Sequence, residues 1–183
     1  MELIAAIDQF GCIGNSVDGK IPWNVPEDME YFRKMTTGHI VVMGNATFRS
    51  LNSTPLKKRV NIVLSRNPPP PPPHTDENTD CLYFIDLANL ETCISSIKRL
   101  DQKVFVIGGR QIYSVLFPSI DVVHLTVITH DAQKQGDVMF PEDILETLLD
   151  RNEFELKKCG IIQKSKMEPN TYEFLTFVRQ VIQ

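Results

Sequence analysis

Five short runs, residues 3–7, 40–43, 60–64, 82–85 and 104–107, are apolar at nearly every position and rich in β-branched side chains. A strand buried on one face alternates apolar with polar residues, whereas a strand buried on both faces has no reason to alternate. Helical periods lie between several of these runs. One helix is predicted over residues 27–35. Another has Leu87, Leu90, Ile94 and Ile97 at 3-4-3 spacing behind a capping Asp86, and a third opens after Gly109 and ends before Pro118. Strand–helix alternation of this kind predicts an α/β domain on a largely parallel sheet. The C-terminal third differs. Residues 122–128, 154–158 and 172–178 alternate more regularly and read as strands, the last two as an antiparallel pair, while residues 142–149 fit either a short helix or an irregular crossing. At 183 residues the whole chain, 1–183, is expected to be one domain.

Lys and Arg total 19 against 23 Asp and Glu, a net charge of −4. No basic excess is present to neutralise phosphates, which argues against a nucleic acid or an anionic membrane as partner. No apolar run reaches the roughly 20 residues of a membrane helix. The first eight residues end in an acid and carry no basic segment, so they read as a first strand and not as a secretion signal. The four cysteines, Cys12, Cys81, Cys93 and Cys159, are scattered, which points to a reducing, cytosolic or nuclear location, and in a cytosolic chain the sequons at Asn45 and Asn52 would go unused. Residues 68–73 are six consecutive prolines, readable as a surface loop or as a polyproline docking segment.

Three segments carry chemistry. In Pro26-Glu27-Asp28, the proline suits a first helical turn and the acids suit the positive end of the helix dipole. Glu27 fits the role of a first-turn acid that helps satisfy free amides. Asp28 shares a helix face with Phe32 and Met35, so two readings stand for it: another amide acceptor, or a carboxylate facing an apolar cleft with a raised pKa. Val104-Phe105-Val106-Ile107-Gly108-Gly109 and Ile40-Val41-Val42-Met43-Gly44 each run from a buried strand through glycine into a helix start, where free amides can meet an anion or simply turn the chain. Ser65 and Arg66 add a hydroxyl and a cation at the end of a third strand. His39, His74, His124 and His130 show no metal-ligand spacing, so no metal site is expected.

In this order and spacing the segments resemble dihydrofolate reductases. The resemblance rests on Ile4-Ala5-Ala6, Gly11-Cys12-Ile13-Gly14, Ile21-Pro22-Trp23-Asn24-Val25-Pro26-Glu27-Asp28, Val42-Met43-Gly44-Asn45-Ala46-Thr47-Phe48 and Pro55-Leu56-Lys57-Lys58-Arg59. It continues through Val63-Leu64-Ser65-Arg66, Ile107-Gly108-Gly109-Arg110-Gln111-Ile112-Tyr113, Leu125-Thr126 and Gly136-Asp137-Val138-Met139-Phe140-Pro141. It implies a mixed, mostly parallel eight-stranded sheet flanked by helices, acting as a cytoplasmic monomer that reduces 7,8-dihydrofolate with NADPH and binds antifolate-type inhibitors. No thymidylate synthase domain is expected.

The resemblance assigns Asp28, Trp23 and Ile21 to catalysis: Asp28 as the carboxylate that binds the pterin, Trp23 as a partner of an ordered water. Ile4, Val25, Phe32 and Leu56 match the apolar walls, Arg59 the grip on the glutamate tail, Thr126 the hydroxyl bonded to the carboxylate, and Tyr113 a contact to both ligands. Ala6, Ile13, Gly14 and Ile107 match positions near the nicotinamide. Gly44, Asn45, Ala46, Thr47, Leu64, Ser65, Arg66, Gly108, Gly109, Arg110, Gln111 and Ile112 match the rest of the cofactor site, with a cis peptide between the two glycines. Residues 14–22 match a mobile loop. Asn45 and Ala46 stand where basic residues commonly follow the glycine, Phe48 replaces a tryptophan, Thr54 stands where arginine is frequent, and Gln111 is neutral. These departures thin the positive field for the cofactor phosphates. The related pyrimidine reductases of riboflavin synthesis should lack both the P-W-N-x-P-x-D block and the tail arginine. A non-catalytic binding protein on the same fold is the other alternative.

Overall fold

The computed structural model describes residues 1–17, 19–68, 81–130, 136–166 and 169–180. The proline run beyond Pro68 lies outside them, as does His74. The strands are β1 (Glu2–Asp8), β2 (Cys12–Gly14), β3 (Ile40–Gly44), β4 (Val60–Leu64), β5 (Leu82–Ile85), β6 (Val104–Gly108), β7 (Val122–Thr129), β8 (Val138–Met139), β9 (Phe154–Cys159), β10 (Gln163–Lys164) and β11 (Thr171–Arg179). The α-helices are α1 (Pro26–Thr36), α2 (Asn45–Ser50), α3 (Leu90–Ile97), α4 (Arg110–Leu116) and α5 (Glu142–Asp150).

The main sheet runs β11-β7-β1-β6-β3-β4-β5, and β11 carries β9 on one half of its outer edge and β10 on the other. That makes eight strand positions, the last shared by two segments. The pairings from β7 to β5 are parallel, and β11 is antiparallel to β7, β9 and β10. The fold expected from the sequence is therefore the one observed: mixed, mostly parallel, with antiparallel C-terminal strands. A small second sheet pairs β2 with β8.

The apolar runs are explained by two covered faces. All five residues of β3 are buried. Val42, Ile62, Val106 and Leu125 face a core shared with Leu90 of α3, Leu116 of α4 and Ile144 and Leu148 of α5. Val41, Met43, Val63 and Phe105 face the other side, against Tyr31, Phe32 and Met35 of α1 and Phe48 of α2. Burying one such side chain fully stabilises the fold by about 1.5–3 kcal/mol, so both faces hold the sheet. Because β1, β3, β4 and β6 are parallel, Ala6, Gly44, Ser65 and Gly108 all come out along one edge. Beyond this edge the connections part: α2, after β3, packs Phe48 on one face of the sheet, and α4, after β6, packs Leu116 on the other.

One expectation needs correction, and two others become definite. Asp86 does cap, accepting from the Asn89 amide at 3.0 Å, but it opens a 3₁₀ turn, Leu87–Asn89, before α3 begins. Leu87 is consequently exposed, and the buried stripe starts at Leu90. Glu27 is the first-turn acid expected, its carboxylate accepting from its own backbone amide, and it has further partners outside the helix. Its carboxylate accepts from Ser165 Oγ and the Lys166 amide, both at 3.0 Å, and so pins α1 to the turn before β11. Residues 142–149, which fitted either structure, fall within the regular helix α5.

Candidate active site

Asp28 sits in the first turn of α1, preceded by Pro26 at the position that tolerates a missing amide hydrogen. The helix approaches β7 and β11 closely, with the rings of Tyr31 and Phe174 4.3 Å apart. This places the Asp28 carboxyl beside the Thr126 hydroxyl, to which it is hydrogen-bonded. Asp28 is 8% exposed and Thr126 1%. Burial raises the Asp28 pKa, and the single bond from Thr126 only partly opposes it. Of the two readings of Asp28, the geometry therefore supports the carboxylate in an apolar cleft.

The surroundings are apolar. Ile4 lies on β1 in a cluster with Phe32, Leu56 and Ile107, and Ala6 pairs in register with Thr126. Trp23 and Val25, at 5% and 2% exposure, pack with Ile128 and Tyr172 against Ala6 and Phe174. Among the described residues Trp23 Nε1 is the buried side-chain nitrogen without a protein acceptor. Tyr113 donates to the Ile4 carbonyl at 3.1 Å, and burial raises its pKa.

Arg59 lies where β4 begins, in a loop organised by Asn61. Asn61 is fully buried; its Oδ1 accepts from the Leu56 amide at 2.9 Å, while Nδ2 donates to the carbonyls of Leu56 at 3.0 Å and Arg59 at 3.2 Å. The guanidinium is anchored to Thr36 Oγ1 through Nε at 3.2 Å and Nη2 at 3.1 Å, and to the Lys57 carbonyl through Nη1 at 2.7 Å.

Along the strand-exit edge, Gly44 and Gly109 precede α2 and α4, and no side chain caps either helix. The Gly108–Gly109 peptide is cis, and Gly108 has φ +115°, a region that favours glycine. Asn45, Ala46 and Thr47 form the first turn of α2. Arg66 is exposed after Ser65, and Gln111 is exposed on α4. Arg110 donates to the Met139 carbonyl at 3.2 Å and so reaches β8. Ile13 is half-buried and Gly14 buried on β2, and Leu64 is buried at the end of β4. Ile21 is 40% exposed, at the surface end of the segment leading to Trp23.

The chain belongs to the dihydrofolate reductase family. The family's sequence model, described as dihydrofolate reductase, matches residues 1–179. The dihydrofolate reductase of Bacillus subtilis (strain 168) is 33% identical over 181 residues, covering 98% of this chain and 95% of that protein. The type 3 dihydrofolate reductase of Salmonella typhimurium is 38% identical over 144 residues, 78% of each chain. Among solved structures, dihydrofolate reductase from Enterococcus faecalis complexed with NADP(H) and RAB-propyl superposes with a TM-score of 0.73 at 27% identity, covering 98% of this chain and 96% of that one.

Within this reductase fold, Ile4, Phe32 and Leu56 belong to one apolar cluster and Trp23 and Val25 to another, and Thr126, the partner of Asp28, is the register neighbour of Ala6 and Phe174, which pack on the second. Residues that sequence reasoning left without a role also hold the site. Asn61 was detectable as the one polar residue inside an apolar strand. Asp137 accepts from the Ser16 amide at 2.6 Å and from the Ser16 hydroxyl, tying the loop after β2 to the start of β8. A Cβ on Gly136 would collide with the Gly14 carbonyl, so only glycine permits this approach. Neither contact could be read from spacing, because about 120 residues separate the partners.

Proposed function

We propose that this chain reduces 7,8-dihydrofolate to 5,6,7,8-tetrahydrofolate with NADPH, and thereby supplies one-carbon metabolism and thymidylate synthesis in the cytoplasm. The observation that carries this reading is Asp28, a buried carboxyl with raised pKa and one hydroxyl partner, set among apolar walls. A dihydropterin presents an amino group and a ring N–H side by side, and a carboxylate accepts both. Ile4, Val25, Phe32 and Leu56 would hold the flat ring and the benzoyl group. Arg59, anchored by Thr36 and the Lys57 carbonyl, would meet the glutamate carboxylate. Antifolate-type inhibitors would compete for the same carboxyl.

The residues present fit the nicotinamide cofactor. A Cβ on Gly44 would stand 2.9 Å from Ile112 Cγ1, one on Gly108 3.0 Å from the Tyr113 hydroxyl and one on Gly109 3.3 Å from Thr47 Oγ1, so glycine lets the strand exits pack close against α2 and α4, whose first-turn amides have no side-chain cap and are free to meet phosphate. Asn45, Ala46 and Thr47 would offer amides to the phosphates, and Ser65 and Arg66 would hold the phosphate that distinguishes NADPH from NADH. Leu64, Arg110, Gln111 and Ile112 complete that side, while Ala6, Ile13, Gly14, Ile107 and Tyr113 flank the nicotinamide. When bound, NADPH supplies the hydride that pterin C6 receives.

Asp28 binds the pterin edge and favours protonation of N5, which makes C6 a better hydride acceptor. Trp23 Nε1, lacking a protein acceptor among the described residues, holds the water that delivers the proton. The Ser16–Asp137 tie keeps the loop carrying Ile21 over the cleft and excludes bulk water. The test is an assay of the purified protein: NADPH oxidation that depends on dihydrofolate and yields tetrahydrofolate supports the reading. Binding of both ligands without turnover would leave a binding protein on this fold.

A further inference from the structure

Asp8 and His130 form a buried acid–base pair that the reaction derived above does not use. His130 Nε2 lies 3.1 Å from Asp8 Oδ2, and the two side chains are 1% and 0% exposed. The other oxygen of Asp8 accepts the amides of Phe10 at 2.9 Å and Cys12 at 2.8 Å. Gln9 clamps the His130 backbone, donating to its carbonyl at 2.9 Å and accepting from its amide at 3.2 Å. The turn leaving β1 is thus fastened to the end of β7. The imidazole also lies against Trp23, with ring centroids 5.8 Å apart and planes inclined by 39°.

A buried carboxylate is costly unless its hydrogen bonds are made, and an apolar pair would often fill the same space as well. Here the pair sits where the chain enters and leaves the segment between β1 and Trp23. Trp23 in turn packs on Ala6 and Phe174, the two register neighbours of Thr126. We propose that His130, held by Asp8, is a positioning residue for Trp23: its ring sets the tilt of the indole and so the direction of the indole N–H within the site. Only the kinetic consequence of this role rests on the reductase reading.

Trp23 is the single tryptophan of the chain, so time-resolved fluorescence anisotropy of the resting protein reports its motion without any turnover. His130→Gln keeps an amide N–H for Asp8 and removes the aromatic face. It should give the indole a fast depolarising component that the wild type lacks. It should also lower kcat for dihydrofolate reduction about tenfold, with KM kept within about twofold. His130→Phe restores a ring against the indole and should suppress the fast component. An immobile indole in His130→Gln overturns the proposal, as does a lower kcat that merely follows the folded fraction seen by circular dichroism. If His130→Gln does not fold, Asp8→Asn decides: a mobile indole upholds the proposal and a rigid one overturns it. A wild type that does not reduce dihydrofolate overturns the reductase reading instead and leaves the anisotropy comparison standing.

Discussion

Asp28 in the first turn of α1 and Thr126 in the middle of β7 are hydrogen-bonded to each other, and each is less than a tenth exposed. The contrast with Asp8 gives the pair its meaning. Asp8 has two backbone amides and an imidazole, as a structural buried carboxylate should. Asp28, buried to a similar degree, has Thr126 as its side-chain partner.

Asp28 should therefore weaken the fold that contains it at neutral pH. Burial raises its pKa above the ordinary 3.8, so the folded protein binds this proton more tightly than the unfolded chain does. The contribution favours folding at low pH and is lost as pH rises through the folded pKa. Asp28→Asn should melt at a higher temperature than the wild type at pH 7, with the difference closing below about pH 4. Calorimetry at the two pH values checks this, and a lower Tm at pH 7 would remove the argument.

Arg59→Ala should raise KM for dihydrofolate more than it lowers kcat, because the tail contact is distant from the reacting atoms. One charge-assisted contact is worth about 1.5–3 kcal/mol, or a KM rise of roughly tenfold to 150-fold. Thr36→Val removes the hydroxyl that accepts from Arg59 Nε and Nη2, and should give a smaller rise of the same kind. Steady-state kinetics on both variants would show a fall in kcat at constant KM if the assignment is wrong.

Asn61→Ala should damage stability first. It leaves the Leu56 amide and carbonyl without their side-chain partner in a buried place, at a cost of about 2–4 kcal/mol. For a chain of this size that corresponds to a Tm lower by about 5–15 °C. Substrate affinity should fall as well, since the same residue holds the loop that carries Arg59. A change under about 1 °C would show that the loop is held by other means.

Arg66 should carry an unusually large share of cofactor discrimination, because Asn45, Ala46 and Gln111 are neutral. Arg66→Ala should bring kcat/KM for NADPH and NADH together, from a preference of about tenfold to 150-fold. Added salt should weaken NADPH binding less in the variant than in the wild type. A retained preference would move the phosphate contact to another cation, such as Arg110 or Lys57.

Most of the sheet was readable in the sequence because burial on both faces leaves so little room for polar residues. The bounds of β4 and β5 coincide with their apolar runs, and those of β1, β3 and β6 lie within one residue. The short strands β2, β8 and β10 were not readable, since two or three residues carry no period and their pairing depends on distant partners. The burial of Asp28 was readable, since its spacing on α1 put a carboxyl on the face that carries Phe32 and Met35. The supports were not. Glu27 could not be linked to Ser165, nor Asp8 to His130, because those contacts are made by the topology and not by any local pattern.

In the proposed reaction the Asp28 carboxyl binds the pterin and promotes its protonation during hydride transfer. The pH dependence of kcat for dihydrofolate reduction by NADPH, measured for wild type and Asp28→Asn in parallel, tests it most directly. The variant should lose about 100-fold or more at pH 7, a loss that shrinks steadily as the solution becomes acid enough to protonate N5 unaided. Wild-type turnover by Asp28→Asn at pH 7, or a loss of the same size at every pH, would contradict it.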